Sequence, residues 1–225
     1  MSRAIIFDMD GVLVNSPPYI TKAFNTILKE YGVVLTQEQR KKTLGLSLRD
    51  QIKEWRDEFG LPEIDPLEFS KNSFKIELSL MQHELRPNQR IISLITAAKQ
   101  KGIKIAVATS STKERAKSIL DLIQISKLLD VLVTAEDVAK HKPNPDLFLK
   151  AAELVGAKPC ECIVFEDAKN GIEAANRAHM KSIAVLTEFN TKNDFEGMAD
   201  FIIKDFSEID LKRLEKILLT KNELV

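Results

Sequence analysis

The sequence predicts an α/β fold: a parallel β-sheet with helices on both faces and an all-helical segment inserted after the first strand. Three observations predict it. From residue 86 onward, short β-branched apolar runs alternate with amphipathic helical patterns. Residues 15–85 carry helical periodicity and no strand pattern. Polar residues cluster at the C-terminal ends of three apolar runs: Asp8 and Asp10, then Thr109 and Ser110, then Glu166 and Asp167. Ligands of open parallel sheets sit at such ends. The expected domains are 1–14 with 86–225 for the sheet, and 15–85 for the helical insert.

The elements follow in order. Ala4-Ile5-Ile6-Phe7 is a short continuous apolar run with no helical period, the mark of a strand buried on both faces. It runs into Asp8, Asp10 and Gly11, and glycine permits a sharp turn there. After Pro17-Pro18, residues Tyr19, Ile20, Ala23, Phe24, Ile27, Leu28 and Tyr31 share one helical face, with Gly32 suited to the C-cap. Thr36 and Gln39 fit the start of a short helix, which Gly45-Leu46-Ser47 breaks. Further helices are expected over about 48–59, with Ile52, Trp55 and Phe59 apolar, and from Pro66 to about Glu84. Trp55 and Phe59 are at helical spacing and read as core.

Beyond Arg86-Pro87, a helix ends at Gly102 and a strand covers Ile103 to Thr109. A helix over 113–122, a strand over 131–134, a helix from Asn144-Pro145 to Val155 and a strand over 162–165 follow. A helix over 171–179, strands over 182–186 and 201–203, and a last helix capped by Ser207 complete the chain.

The totals exclude several functions. A chain of 225 residues is long enough to bury a core as one large domain or a domain with an insert. Lys plus Arg and Asp plus Glu balance at 33 each, which removes a bulk electrostatic case for nucleic acid or an anionic membrane. The two cysteines, Cys160 and Cys162, are too close for a disulfide framework and too few for structural zinc. No apolar run approaches the roughly 18 residues of a membrane span. The N-terminus enters a core strand at once, without room for a signal peptide. A soluble cytoplasmic protein is expected.

Asp8 and Asp10 lie two apart, so on an extended chain they face one side about 7 Å apart. Like charges at a buried strand end are costly unless a cation or a proton offsets them. One carboxylate could attack an electrophile, its neighbour could carry a proton, and a divalent cation could hold both against an anion. The alternative is a strand end with solvated acids. An EF-hand fits poorly, because Gly11 follows Asp10 directly and Val12-Leu13-Val14 comes next. Thr109 and Ser110 could offer a hydroxyl and a backbone N–H to a phosphate, or either could cap the next helix. Lys142, in the proline-containing segment HKPNPD, could neutralise a phosphate and an attacking carboxylate together, or be an exposed loop lysine. Glu166 and Asp167 could join Asp8 and Asp10 as hard oxygen ligands for Mg²⁺, or Asp167 could cap the following helix. The three histidines, His83, His141 and His179, have no ligand spacing and read as structural or surface residues.

DMDGVLVNS, AVATSS, KHKPNPDLF and VFEDAKNG, in this order, resemble the four motifs of the haloacid dehalogenase superfamily of phosphatases. The nearest branch contains β-phosphoglucomutase and phosphoglycolate phosphatase. The resemblance covers the whole chain and implies a Rossmann-like core with an inserted four-helix cap. It implies that Asp8 is the nucleophile, forming an aspartyl-phosphate, and Asp10 the general acid/base. It makes Thr109 the phosphate-binding hydroxyl and Lys142 the motif lysine. It makes Asp167 a direct Mg²⁺ ligand with Asp8 and the Asp10 carbonyl, and Glu166 the residue orienting a metal-bound water.

The second acid, Asp10, sets the chain apart from the dehalogenases themselves. Asn15 departs from the aspartate many relatives have there. The mutase pattern has a histidine at the position of Ile20 and basic residues near Leu44 and Leu48, all apolar here. Arg49 is a candidate substitute. A phosphatase is therefore expected over a phosphohexomutase, and intact motifs weigh against a non-catalytic binding protein. The expected partner is a small phosphorylated metabolite, met by the cap loop around Gly45, Ser47 and Arg49. Oligomeric state is left open, and a monomer is compatible with a capped site.

Overall fold

The computed structural model describes residues 3–43 and 46–219. Strand β1 (Ala4–Phe7) is followed by α1 (Pro17–Leu28), α2 (Gln37–Thr43), α3 (Leu48–Phe59) and α4 (Pro66–Glu84). Then come α5 (Gln89–Gln100), β2 (Lys104–Ala108), α6 (Lys113–Leu122), β3 (Val131–Val133) and α7 (Asp146–Val155). Strand β4 (Cys162–Glu166), α8 (Lys169–Arg177), β5 (Lys181–Val185), β6 (Phe201–Ile203) and α9 (Leu211–Leu219) close the described chain. It divides into two compact units, 1–15 with 86–225, and 16–85.

The first unit is a parallel sheet in the order β3-β2-β1-β4-β5-β6. The chain winds outward from β1 through β2 to β3, then returns to the other side of β1 with β4. Such a reversal leaves a crevice at the carboxyl ends of the central strands. The register fixes what lines it: Phe7 pairs with both Val107 and Phe165. Asp8, Thr109 and Glu166 therefore leave the sheet close to one level.

The strands are buried on both faces, which explains why they read as continuous apolar runs. Ala4, Ile6, Ala106, Val133 and Val164 pack with Phe148, Ala151 and Ala152 of α7 and Ala174 and Ala175 of α8. On the other face Phe7 stacks on Phe165 at 5.1 Å between ring centroids, and Phe206 leans on both. Two short strands, β3 and β6, form the edges of the sheet.

The second unit is helical. Phe24, Leu28, Leu35, Ile52, Trp55, Leu61 and Phe69 form its core, so Trp55 is a packing residue. Gly32 ends the turn after α1 with φ 76°, and Thr36 and Gln39 exchange hydrogen bonds at the start of α2. A guanidinium was not foreseen in this core. Arg40 is 3% exposed, lies 4.9 Å from the Phe24 ring centroid, and donates to Gln51 Oε1 at 2.7 Å. Burial lowers its pKa to about 10, so it remains charged at neutral pH.

Helix starts depart from sequence expectation in three places. Thr112, and neither Thr109 nor Ser110, caps α6, its Oγ1 accepting from Arg115 N. Ala168 occupies the N-cap of α8 without a side-chain bond, so Asp167 is not spent on capping. The last helix begins at Leu211 with Asp210 Oδ1 accepting from Arg213 N; Ser207 N donates to Asp205 Oδ1 in the turn before it. At α6 and α9 a residue nearer the helix supplies the oxygen, and α8 has no side-chain cap.

Candidate active site

Asp8 follows β1 directly. Its N–H donates to Phe165 O at 2.9 Å, continuing the ladder one step past the strand. That fixes its side chain at the sheet edge, 6% exposed. Lys142, from the loop before α7, reaches the same point. Its Nζ donates to Asp8 Oδ1 at 2.5 Å and to Glu166 Oε1 at 2.6 Å. The Nζ also lies 4.9 Å from the Phe148 ring centroid, and the lysine side chain is 5% exposed. The loop lysine is thus buried and doubly paired. Arg177 Nη1 donates to Pro143 O, tying that loop to α8.

Glu166 ends β4, and its second oxygen accepts from Ala168 N at 2.6 Å. Gly171, in the first turn of α8, lies so close that a Cβ there would stand 1.8 Å from Glu166 Oε1. Asp167 is packed in the same way: a Cβ on Gly11 would stand 1.9 Å from its Oδ2, and Gly11 has φ +79°. The glycine after the two acids thus serves both the turn and the space for a third acid.

Asp10 takes another environment. The segment turns back over Met9 O, which accepts from the N–H groups of Leu13 and Val14. Asp10 is gripped by Arg115 through both oxygens, Nη1 to Oδ2 at 2.7 Å and Nη2 to Oδ1 at 2.8 Å. Ser111 Oγ donates to Asp10 Oδ2 at 2.9 Å. Thr109 is buried, with its N–H donating to Val133 O and its Oγ1 accepting from Ser111 N. Ser110 is exposed.

Sequence reasoning missed Arg115, Ser111 and Asn190. Arg115 carried a signal: a cation in the first turn of a helix is repelled by the positive end of the helix dipole, so it needs an anion nearby. Asn190 donates to the carbonyl of Asp167 at 2.7 Å and accepts from Thr187 N, joining the β4 and β5 loops. A lone loop asparagine carries no such signal.

Of the residues expected in the helical loop, Gly45 lies outside the described residues, as does Leu44. Ser47 caps α3, accepting from Asp50 N and donating to Asp50 Oδ2 at 2.6 Å. Arg49 is exposed on the first turn of that helix.

The electrostatics of the strand ends are unbalanced. Asp8, Glu166 and Asp167 share the single ammonium of Lys142. Burial, with help from Glu166 and Asp10 and against Lys142, pushes the Asp8 carboxyl up to about 7. Burial, then Glu166 and Asp8, raises Asp167 well above the usual carboxylate range. Burial works against the charge on Lys142, but Asp8 and Glu166 outweigh it and hold the lysine above its ordinary value. The surplus negative charge and the all-oxygen donor set fit a hard divalent cation. Among the described residues no three His, Cys, Asp or Glu side chains already share one coordination sphere. An ion held by Asp8 and Asp167 would take its other ligands from backbone oxygen, water or substrate.

A parallel-sheet enzyme with a carboxylate–lysine cluster at its switch point is the class that fold and site describe. The family model for haloacid dehalogenase-like hydrolases matches residues 5–185, and the chain belongs to that family, among its phosphatases. It is 30% identical over 182 residues to a phosphorylated carbohydrates phosphatase of Thermotoga maritima, covering 80% of this chain and 83% of that one. It is 31% identical over 183 residues to the fructose-1-phosphate phosphatase YqaB of Escherichia coli, covering 80% and 95%. A β-phosphoglucomutase from Clostridium difficile superposes with a TM-score of 0.80 over 97% of each chain at 24% identity, a likeness of fold. Among the described residues no helix is long and apolar enough to cross a membrane.

Proposed function

We propose that the chain is a Mg²⁺-dependent phosphomonoesterase acting on a small organic phosphate, a phosphorylated carbohydrate or a compound of the phosphoglycolate type. The observation that carries the reading is the buried Asp8–Lys142–Glu166 cluster at the ends of β1 and β4, with Asp167 beside it. The named activities of the two relatives supply the substrate class.

In this reading an Asp8 carboxylate oxygen attacks phosphorus and the bond to the leaving oxygen breaks, giving an aspartyl-phosphate. Asp10 gives its proton to the departing alkoxide. Water then attacks the acyl phosphate, Asp10 takes a proton from it, and inorganic phosphate leaves with Asp8 restored. Lys142 stays charged throughout and neutralises both the nucleophile and the incoming phosphate. Thr109 and Ser110 offer a hydroxyl and backbone N–H to the phosphate oxygens. Asp8, Asp167 and the Asp10 carbonyl would hold Mg²⁺, with Glu166 orienting a bound water. When bound, the ion adds positive charge where phosphoryl charge develops.

A phosphohexomutase is the alternative on the same core. A mutase must hold a bisphosphate in both orientations, which calls for cations in the helical unit. Ile20 and Leu48 instead pack against that unit's apolar core, which favours the phosphatase. The unit of residues 16–85 is read as a substrate-selecting cap, with the Gly45, Ser47 and Arg49 loop as its contact region.

The test is p-nitrophenyl phosphate hydrolysis by Asp8→Asn and by wild type in EDTA. Both are expected to lose turnover with circular dichroism unchanged. Turnover surviving in either would reject the reading. Conversion of β-glucose 1-phosphate to the 6-phosphate with catalytic bisphosphate, in place of phosphate release, would select the mutase.

A further inference from the structure

We infer that Arg115, with Ser111, is the positioning residue for the proton-transfer carboxylate of Asp10. The inference rests on the phosphatase reading above. Arg115 is the third residue of α6, and its guanidinium meets Asp10 as a two-pronged fork, at 2.7 and 2.8 Å. Ser111 Oγ braces one prong of the fork, donating to Asp10 Oδ2 at 2.9 Å and accepting from Arg115 Nη1 at 2.5 Å. Ser111 comes from the loop between β2 and α6 and Arg115 from the first turn of α6, while Asp10 comes from the turn after β1. The contact therefore joins the loops beyond β1 and β2, past the last backbone pair of the two strands at Phe7 and Val107.

The geometry has a clear effect. A bidentate guanidinium fixes the plane of a carboxylate as well as its position, which a lysine or a single hydroxyl cannot do. Asp10 needs such a fix. Its side chain is 28% exposed, against 8% for Asp8, so packing constrains it less. The Arg115 side chain, 14% exposed, is more enclosed than the acid it holds. A proton donor and acceptor that serves two successive steps must meet first the leaving oxygen and then water at short range. Misplacement by about 1 Å can cost on the order of a hundredfold in rate. Two of the four residues in the first turn of α6 and its cap serve this contact or the cap itself: Thr112 Oγ1 accepts from Arg115 N, holding the base of the arginine while its tip holds Asp10.

The role predicts a specific kinetic pattern. Arg115→Gln, at saturating Mg²⁺, should lower kcat on p-nitrophenyl phosphate about 10- to 100-fold with KM changed less than about threefold. Arg115→Lys should recover only part of the loss, because it restores charge without the fork. Guanidinium ion at millimolar concentration, below denaturing levels, should raise the rate of Arg115→Ala and leave wild type unaffected. In an Asp10→Asn background, Arg115→Gln should add nothing further, since the residue acts through Asp10. Wild-type kcat in Arg115→Gln, full recovery by lysine, or additive losses in the double variant would each overturn the inference. If Arg115→Gln fails to fold, Ser111→Ala, expected to lower kcat about threefold to tenfold, decides by the same double-variant comparison. An Asp10→Asn protein as active as wild type would overturn the inference by removing Asp10's role, whereas a wild type without turnover would instead reject the phosphatase reading itself.

Discussion

Lys142 shows most directly how a single side chain holds the strand ends together. It is the shared counter-ion of two buried carboxylates, so its removal leaves like charges facing each other without water. Lys142→Met in EDTA at pH 8 is expected to lose about 3 kcal/mol of stability, read from urea unfolding. At pH 5.5 the loss should shrink, because Asp8, already raised to about 7, takes up a proton and relieves the repulsion. The sign for the wild type follows from linkage. Asp8 and Asp167 bind protons more readily folded than unfolded, so between about pH 4 and 7 the metal-free protein loses stability as pH rises. Mg²⁺ should offset that loss, so the gain in Tm on adding it should be larger at pH 8 than at pH 5.5. An equal shift at both pH values would count against a cation held by these carboxylates.

Helices and strands bring these residues within reach, and α8 gives the sharpest case. On an exposed helix, Gly→Ala usually stabilises by about 1 kcal/mol. At Gly171 the added Cβ would meet Glu166 Oε1, the oxygen that Lys142 also binds. Gly171→Ala is therefore expected to lower both the urea midpoint and kcat, the latter about tenfold or more. Most elements were legible in the sequence, because β1, β2 and β4 are buried on both faces and the helices carry clear periodicity. Strand ends holding Asp8, Thr109 and Glu166-Asp167 were legible for the same reason. Less legible were the contacts made by long side chains across elements. Arg115 meeting Asp10 and Arg40 lying under Phe24 depend on tertiary placement, and arginine is ordinarily a surface residue. Caps slipped by a few residues, because Ser, Thr and Asp recur near each helix start and only geometry chooses among them.

At the scale of the molecule, the candidate catalytic residues Asp8, Asp10, Lys142 and Asp167 lie in the sheet unit, while the helical unit of residues 16–85 interrupts that unit's sequence directly after the first acids. Asp8 and Asp10 are thus separated along the chain from Thr109, Lys142 and Asp167, and only the sheet reunites them. Parallel pairing requires just such long connections. Phe7 must find both Val107 and Phe165 in register, and a slip of one residue would turn Asp8 to the opposite face. Pairings so distant along the chain close late during folding. A nascent chain still on the ribosome, with β4 not yet made, therefore lacks half of its acid cluster. On the phosphatase reading, such a chain is expected to release no phosphate from its esters until Glu166 and Asp167 join Asp8.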